Sequence, residues 1–280
     1  MNIRSALSIG NKILIQNDII SHKLDSELLM SKVINKNREF IILNLDKKIN
    51  EKNFHKYNQL INERSQGKPI AYIFGKKYFW RNEFLVNEKV LIPRPDTEIL
   101  VEEIIKITKN KEKLNVLEIG VGSGCLLLSL LIEKKYFKGT GIDISKNCVR
   151  LSRINSQNLN LEKRVKFFIS DVDNFNLGKY DLIISNPPYI KKLDLKYLDK
   201  DVKNFEPMLA LNGGIDGLSA IRRVIKKSGK LIKKNGLLIL EISFNQKNEV
   251  KKILKKNGFY INKTLKDFAK NDRCIVSTKI

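Results

Sequence analysis

The sequence predicts an α/β protein in two parts: a small helical domain, then a larger domain built on a mostly parallel sheet. Three observations carry this. From residue 114 onward, short apolar runs alternate with helical stretches, the pattern of parallel strands joined by crossover helices. Two of those runs stop at turns that cannot continue a strand, Gly-Val-Gly-Ser-Gly at 120–124 and Asn186-Pro187-Pro188-Tyr189. Before residue 65, apolar positions instead follow helical spacing.

Taken in order, residues 1–70 predict a small helical bundle that covers or extends the main domain, carries no catalytic chemistry and could serve to recognise a partner. Leu24, Leu28, Leu29 and Val33 follow helical spacing after a start at Asp25 or Ser26, and further apolar sets lie at 40–45 and 54–61. Gly67 and Pro69 end this pattern. Residues 71–95 form a linker in which Tyr72, Phe74, Tyr78, Phe79, Trp80 and Phe84 place six aromatics in thirteen residues. Alternation through Phe84, Val86 and 90–92 predicts a β-hairpin turning near Asn87-Glu88. The linker ends in Ile92-Pro93-Arg94-Pro95-Asp96-Thr97-Glu98, where Asp96 or Thr97 is placed to cap a helix over 98–109. This turn is expected to pack over a ligand site beside Asn186-Pro187-Pro188.

Residues 96–280 carry the chemistry. A buried strand over 114–119 runs straight into Gly120, Val121, Gly122, Ser123 and Gly124, and an apolar helix follows over 125–132. Three alternate glycines let the backbone turn tightly and admit a ligand against the main chain. The spacing differs from the GxGxxG of dinucleotide folds. The next strand, 139–144, carries Asp143, 23 residues after Gly120, where an acid suits the two hydroxyls of a ribose. Loop and acid together predict an adenosine-containing cofactor. A third strand over 165–169 leads to Ser170-Asp171-Val172, expected beside the adenine; Asp171 is either an acceptor for the adenine amino group or a solvated strand end. The fourth strand ends at Asn186. The Asn186 side-chain carbonyl and the backbone carbonyl of the rigid Pro187 can accept both hydrogens of a planar –NH2 group, and Tyr189 offers an aromatic face. A long glycine-bearing segment over 205–217 is expected to wall the substrate side. A fifth strand over 236–242 follows, and strands over 259–264 and 273–278 close an antiparallel edge.

Composition narrows the class. With 42% hydrophobic and 30% charged residues the chain is globular, and no run approaches a membrane span or a secretory leader. Three scattered cysteines and two histidines offer neither a zinc site nor a disulfide framework, which fits a reducing cytoplasm. The net charge of +23 suits nucleic-acid binding but equally a compositional bias toward lysine, and by itself selects neither.

On these residues the chain resembles the HemK/PrmC-type protein-glutamine methyltransferases. The resemblance rests on Arg64-Ser65-Gln66-Gly67-Lys68-Pro69 with Tyr72, on the IPRPDTE and SNPPYI stretches, on 120–125 and Asp143-Ile144-Ser145, on Glu206-Pro207 with 213–218, and on Asp272-Arg273. It implies a Rossmann-like class I S-adenosylmethionine-dependent methyltransferase domain with a seven-stranded mixed sheet. It further implies transfer of a methyl group to the glutamine of the Gly-Gly-Gln motif in peptide-chain release factors. Residues 120–124 and Asp143 would then hold the cofactor, Asn186, Pro187, Pro188 and Tyr189 the glutamine, and the helical domain the release factor; Asp171, Val172 and Asn186 are expected beside the cofactor, and a monomer is expected for which nucleic-acid binding is possible but not required. Two positions depart from the family pattern: Val172 stands where an aromatic is common, and Ser243 where glycine is. The rival reading is a nucleic-acid amino-methyltransferase acting on a flipped-out base, against which stands the lack of a segment large enough for a target-recognition domain. A non-catalytic module on the translation machinery is the third, opposed by the intact glycines, Asp143 and Asn186.

Overall fold

The structure, a computed structural model, describes residues 1–280. It divides into two compact units: Met1–Gly75 with Asp199–Phe205, and Lys76–Leu198 with Glu206–Ile280.

The first unit contains α1 (Ile3–Gln16), α2 (His22–Ile34), α3 (Arg38–Leu43), α4 (Glu51–Ser65) and α5 (Ile70–Phe74). Asn2, Asn37 and Asn50 start α1, α3 and α4, each accepting a backbone N–H three residues on. The core is apolar, with Ile3, Leu14, Leu29, Met30, Ile41 and Ile61 fully buried. Helix α2 begins three residues before Asp25, and Leu24 is exposed. The apolar spacing misled because two polar residues face inward. Asp25 pairs with Arg64 of α4 at 2.7 Å, both buried, and the Ser26 hydroxyl lies 2.5 Å from that of Tyr57. Partners on α4 make these burials tolerable.

The second unit opens with a hairpin, β1 (Lys76–Phe79) and β2 (Asn82–Leu85), and α6 (Glu98–Ile107) follows. The hairpin turns at Trp80-Arg81 rather than near Asn87-Glu88, and Trp80 takes a left-handed φ of 56°. The later turn exists, with the Asn87 side chain accepting from Lys89 N–H and its carbonyl from Val90 N–H, but it joins no strands. Phe79 and Phe84 meet edge to face inside, which fixes the earlier pairing.

Then come β3 (Asn115–Ile119), α7 (Cys125–Glu133), β4 (Lys138–Asp143), α8 (Lys146–Asn158), β5 (Val165–Ile169) and β6 (Tyr180–Ser185). After them stand α10 (Ser219–Leu231), β7 (Ile232–Glu241), α11 (Lys247–Lys256), β8 (Phe259–Lys266) and β9 (Asp272–Lys279), while the short α9 (Lys200–Phe205), which precedes α10 in the chain, belongs to the first unit. The sheet order is β5-β4-β3-β6-β7-β9-β8; β9 runs antiparallel to both its neighbours and the remaining pairs are parallel. Central strands are apolar on both faces because helices cover both. Val116, Leu182 and Ile184 pack with Leu127 and Leu130 on one side, while Leu117 and Ile183 pack with Ile221 and Ile225 on the other.

From β3 the chain winds outward through β4 and β5, then returns to place β6 on the opposite side of β3. At this reversal the carboxyl ends of the strands part and leave a crevice. Ile119 pairs with Ser185, and the Ser185 hydroxyl donates to the Ile119 carbonyl at 2.7 Å. The glycine turn and the Asn-Pro-Pro turn therefore leave the sheet side by side.

Gly10 of α1 sits where an added Cβ would lie 2.1 Å from the buried Tyr57 hydroxyl. Gly10→Ala is expected to destabilise the protein by about 1–3 kcal/mol by overpacking, measured by denaturant unfolding. An unchanged midpoint would show that α1 shifts freely.

Candidate active site

A cavity of about 270 Å³ occupies the crevice. One wall is the glycine turn. Gly120, Gly122 and Gly124 all have left-handed φ, of 78°, 55° and 82°, and a Cβ on Gly120 or Gly122 would meet nothing within 4 Å. Their open side is the cavity, and side chains there would both fill it and strain the backbone. The turn is anchored to β4, with Gly120 and Val121 N–H donating to the Ile142 carbonyl at 2.9 and 3.0 Å. Asp143 accepts from Gly122 N–H at 3.0 Å and from Ser145 N–H at 2.9 Å, so the predicted ribose acid also shapes the turn. Burial pushes the Asp143 carboxyl up, against the pull of those two N–H groups. Asn155 of α8 fixes the other end: its amide donates to the Ser123 carbonyl at 2.8 Å and exchanges hydrogen bonds with the backbone of Leu85, tying the hairpin to the turn.

Asp171 and Val172 lie in the same wall. Asp171 is already engaged, paired with Arg223, and that guanidinium holds its carboxyl below the usual range. Asp171, expected as an acceptor for the adenine amino group or as a solvated strand end, is thus half of an ion pair on the cavity wall. Val172, at the position where an aromatic is common, packs against the core cluster that contains Ile142 and gives a smaller apolar surface to the cavity.

The opposite wall is made by Asn186, Pro187 and Pro188 together with Ile92, Pro93, Arg94 and Thr97. The IPRPDTE stretch does meet the Asn-Pro-Pro turn, but its threonine caps nothing. The Thr97 hydroxyl donates to the Glu241 carboxylate at 2.7 Å and accepts from the Asn186 side-chain amide at 3.1 Å. No protein group donates to the Asn186 side-chain oxygen or to the Pro187 carbonyl. Tyr189 stands apart from the cavity wall. Its ring packs on the core and its hydroxyl donates to Glu241 at 3.3 Å, so the stacking face expected of it is turned inward. Gly213 and Gly217 press on the Tyr189 backbone, where a Cβ would come within 2.8 and 2.5 Å of its Cα and carbonyl oxygen; Gln246 donates to the same carbonyl at 3.0 Å. The long glycine segment is a clamp on the turn, and Arg94, paired with the Glu206 carboxylate at 2.6 Å, closes the side.

Comparison with known proteins adds a second line. Residues 5–75 match the family model of the PrmC N-terminal domain, and residues 95–267 that of the methyltransferase small domain. The release factor glutamine methyltransferase of Clostridium acetobutylicum is 39% identical over all of this chain and 99% of its own length. That of Buchnera aphidicola subsp. Acyrthosiphon pisum is 39% identical over 92% of each chain. The chain belongs to the release factor glutamine methyltransferase family. A bifunctional methyltransferase of Rickettsia felis is 34% identical, and this chain spans 58% of it. Among solved structures, the ribosomal protein L11 methylase from Lactobacillus delbrueckii subsp. bulgaricus shares the fold with a TM-score of 0.50 and 16% identity, over 68% of this chain and 82% of that one. As in class I methyltransferases, the sheet is seven-stranded and mixed, with helices on both faces.

Two acids of this family member escaped the sequence reading. Glu118 lies in β3, 3% exposed, lines the cavity, forms no ion pair and accepts only from Leu127 N–H at 3.1 Å. Burial pushes its carboxyl well above the ordinary range. Glu241 ends β7 at 1% exposure, where burial pushes its carboxyl up to about 7 against Thr97, Arg273 and Tyr189. The available signal was an acid inside an otherwise apolar strand, since such a charge is costly without a use.

The raised Glu241 value has a stability consequence. The folded protein holds this proton more tightly than the unfolded chain, so its contribution is complete below about 4.5 and is lost as pH rises through about 7. Relative to wild type, Glu241→Gln is expected to gain about 3 kcal/mol in unfolding free energy between pH 4.5 and pH 8. An offset that stays constant across that range would contradict the assignment.

Proposed function

We propose that the protein transfers a methyl group from S-adenosylmethionine to the side-chain amide nitrogen of the glutamine in the Gly-Gly-Gln motif of peptide-chain release factors. The observation that carries this reading is the Asn186 amide. Its nitrogen is committed to Thr97, which leaves its oxygen and the Pro187 carbonyl as two unpaired acceptors on the cavity wall. A primary amide presents two hydrogens in one plane, and two rigidly placed acceptors match it.

The cavity fits the cofactor. The bare glycine turn accommodates a ligand against the backbone, Asp143 suits ribose hydroxyls, and the unpaired buried Glu118 suits a cationic group. S-adenosylmethionine supplies an electrophilic methyl group on a sulfonium. An amide nitrogen is a poor nucleophile because its lone pair is delocalised. Asn186 and Pro187 counter this by fixing the –NH2 plane and by stabilising the positive charge that grows on nitrogen as the N–C bond forms and the methyl–sulfur bond breaks, its electron pair staying on a sulfur that would leave as a neutral thioether. The proton becomes acidic only then and leaves to water, so no strong base is required. Membership in the release factor glutamine methyltransferase family supports the substrate. Residues 5–75, the match to the PrmC N-terminal domain, are the segment proposed to dock it.

The test is transfer of labelled methyl from S-adenosylmethionine to purified release factor, total RNA and DNA offered separately. Label is expected on the release factor alone and lost when its Gly-Gly-Gln glutamine is replaced; label only on nucleic acid would overturn the substrate. Asn186→Ala is expected to lower kcat about 100-fold or more while cofactor Kd stays within about threefold. Equal losses in both would remove Asn186 from the reacting centre.

A further inference from the structure

We infer that Glu241, acting through Thr97, is a positioning residue that holds the Asn186 side chain with its oxygen toward the substrate. The inference rests on the proposed role of Asn186 and explains how that role is enforced. An asparagine amide is nearly symmetric in shape. Rotated by half a turn, it would present its –NH2 to the substrate –NH2, donor against donor, and the match would be lost.

Nothing inside the Asn-Pro-Pro turn prevents that rotation. What prevents it is the chain of hydrogen bonds from the Asn186 nitrogen to the Thr97 oxygen at 3.1 Å and from the Thr97 hydroxyl to Glu241 at 2.7 Å. A hydroxyl can pass a hydrogen bond in either direction, so Thr97 alone imposes no polarity. A carboxylate can only accept. Glu241 therefore forces Thr97 to donate inward, which leaves the Thr97 oxygen free to accept only from the Asn186 –NH2. The Tyr189 hydroxyl donates to the other carboxylate oxygen at 3.3 Å and engages it on the far side.

The arrangement makes the polarity depend on charge. When Glu241 gains a proton, its carboxyl can donate to Thr97, and Thr97 can then donate to the Asn186 oxygen. The whole chain reverses and the substrate faces the wrong end of the amide. The groups around Glu241 set where this occurs. Burial raises its proton affinity, as does Asp96, while Thr97, Arg273 and Tyr189 lower it; Cys274 lies opposite it on β9 as a buried neutral thiol. Together these groups bring the Glu241 carboxyl up to about 7.

The experiment uses the full-length protein with two readouts. In protein labelled with ¹⁵N at asparagine, the Asn186 side-chain amide signal, assigned by its loss in Asn186→Ala, is expected to titrate near pH 7 in wild type and to stay fixed in Glu241→Gln. This readout needs no substrate, so it stands even if the methyl acceptor proves different. In methyl transfer, kcat should rise with pH through the same midpoint. Thr97→Val should lower kcat about 10–100-fold with cofactor Kd unchanged, the range for groups that orient a ligand, and Thr97→Ser should restore it. An Asn186 signal that ignores pH in wild type, or that titrates unchanged in Glu241→Gln, would overturn the inference. So would a Thr97→Val protein with wild-type kcat, or a loss that serine does not rescue.

Discussion

A carboxylate at the end of a central strand, shielded from water, has to be met by donors, and much of the second unit's upper face is arranged to supply them. Glu241 draws the Thr97 hydroxyl from the turn before α6, the Tyr189 hydroxyl from the turn after β6, and the Arg273 charge from β9. Three segments distant in sequence are held together by one anion. The Asn-Pro-Pro turn inherits its register from that anchor, and the glycine clamp over 213–217 presses the same turn from outside. Arg273 is in turn shared between Asp267 at 2.9 Å and Asp96 at 3.5 Å, so the loop between β8 and β9 joins the same network.

This arrangement sets stability against function. Burial of Glu241 costs folding free energy at the pH where its carboxylate is needed in the proposed reaction, and burial of Glu118 beside the glycine turn likewise costs free energy when that carboxyl is charged. A protein selected only for stability would replace both acids with apolar residues. Two such acids near the carboxyl ends of β3 and β7, the parallel strands on either side of β6, mark the crevice as the working part of the fold.

Much of this was legible in the sequence. The strand-and-helix alternation, the glycine turn, Asp143 and the Asn-Pro-Pro turn are local signals, each written in a few consecutive residues, and they lie where the sequence puts them. What the sequence could not show depends on partners far away. The inward Asp25 and Ser26 of α2 look like a polar face until Arg64 and Tyr57 of α4 are seen against them. Thr97 reads as a helix cap because Thr before Glu commonly is one, and only Glu241, 144 residues later, explains its other use. The polar Asn87-Glu88 pair reads as the hairpin turn because Trp80 gives no turn signal; packing of Phe79 on Phe84 sets the turn at Trp80-Arg81 instead. Asp171 reads as an adenine acceptor or a solvated strand end, and only Arg223, reaching it from α10, shows it to be half of an ion pair.

The most direct measurement of the central claim is a crystal structure of the protein with S-adenosylhomocysteine and a release factor bound. The account predicts that the glutamine amide nitrogen donates to both the Asn186 side-chain oxygen and the Pro187 carbonyl, with the Asn186 nitrogen still on Thr97. A glutamine held by other groups, or an Asn186 amide that has left Thr97, would contradict it.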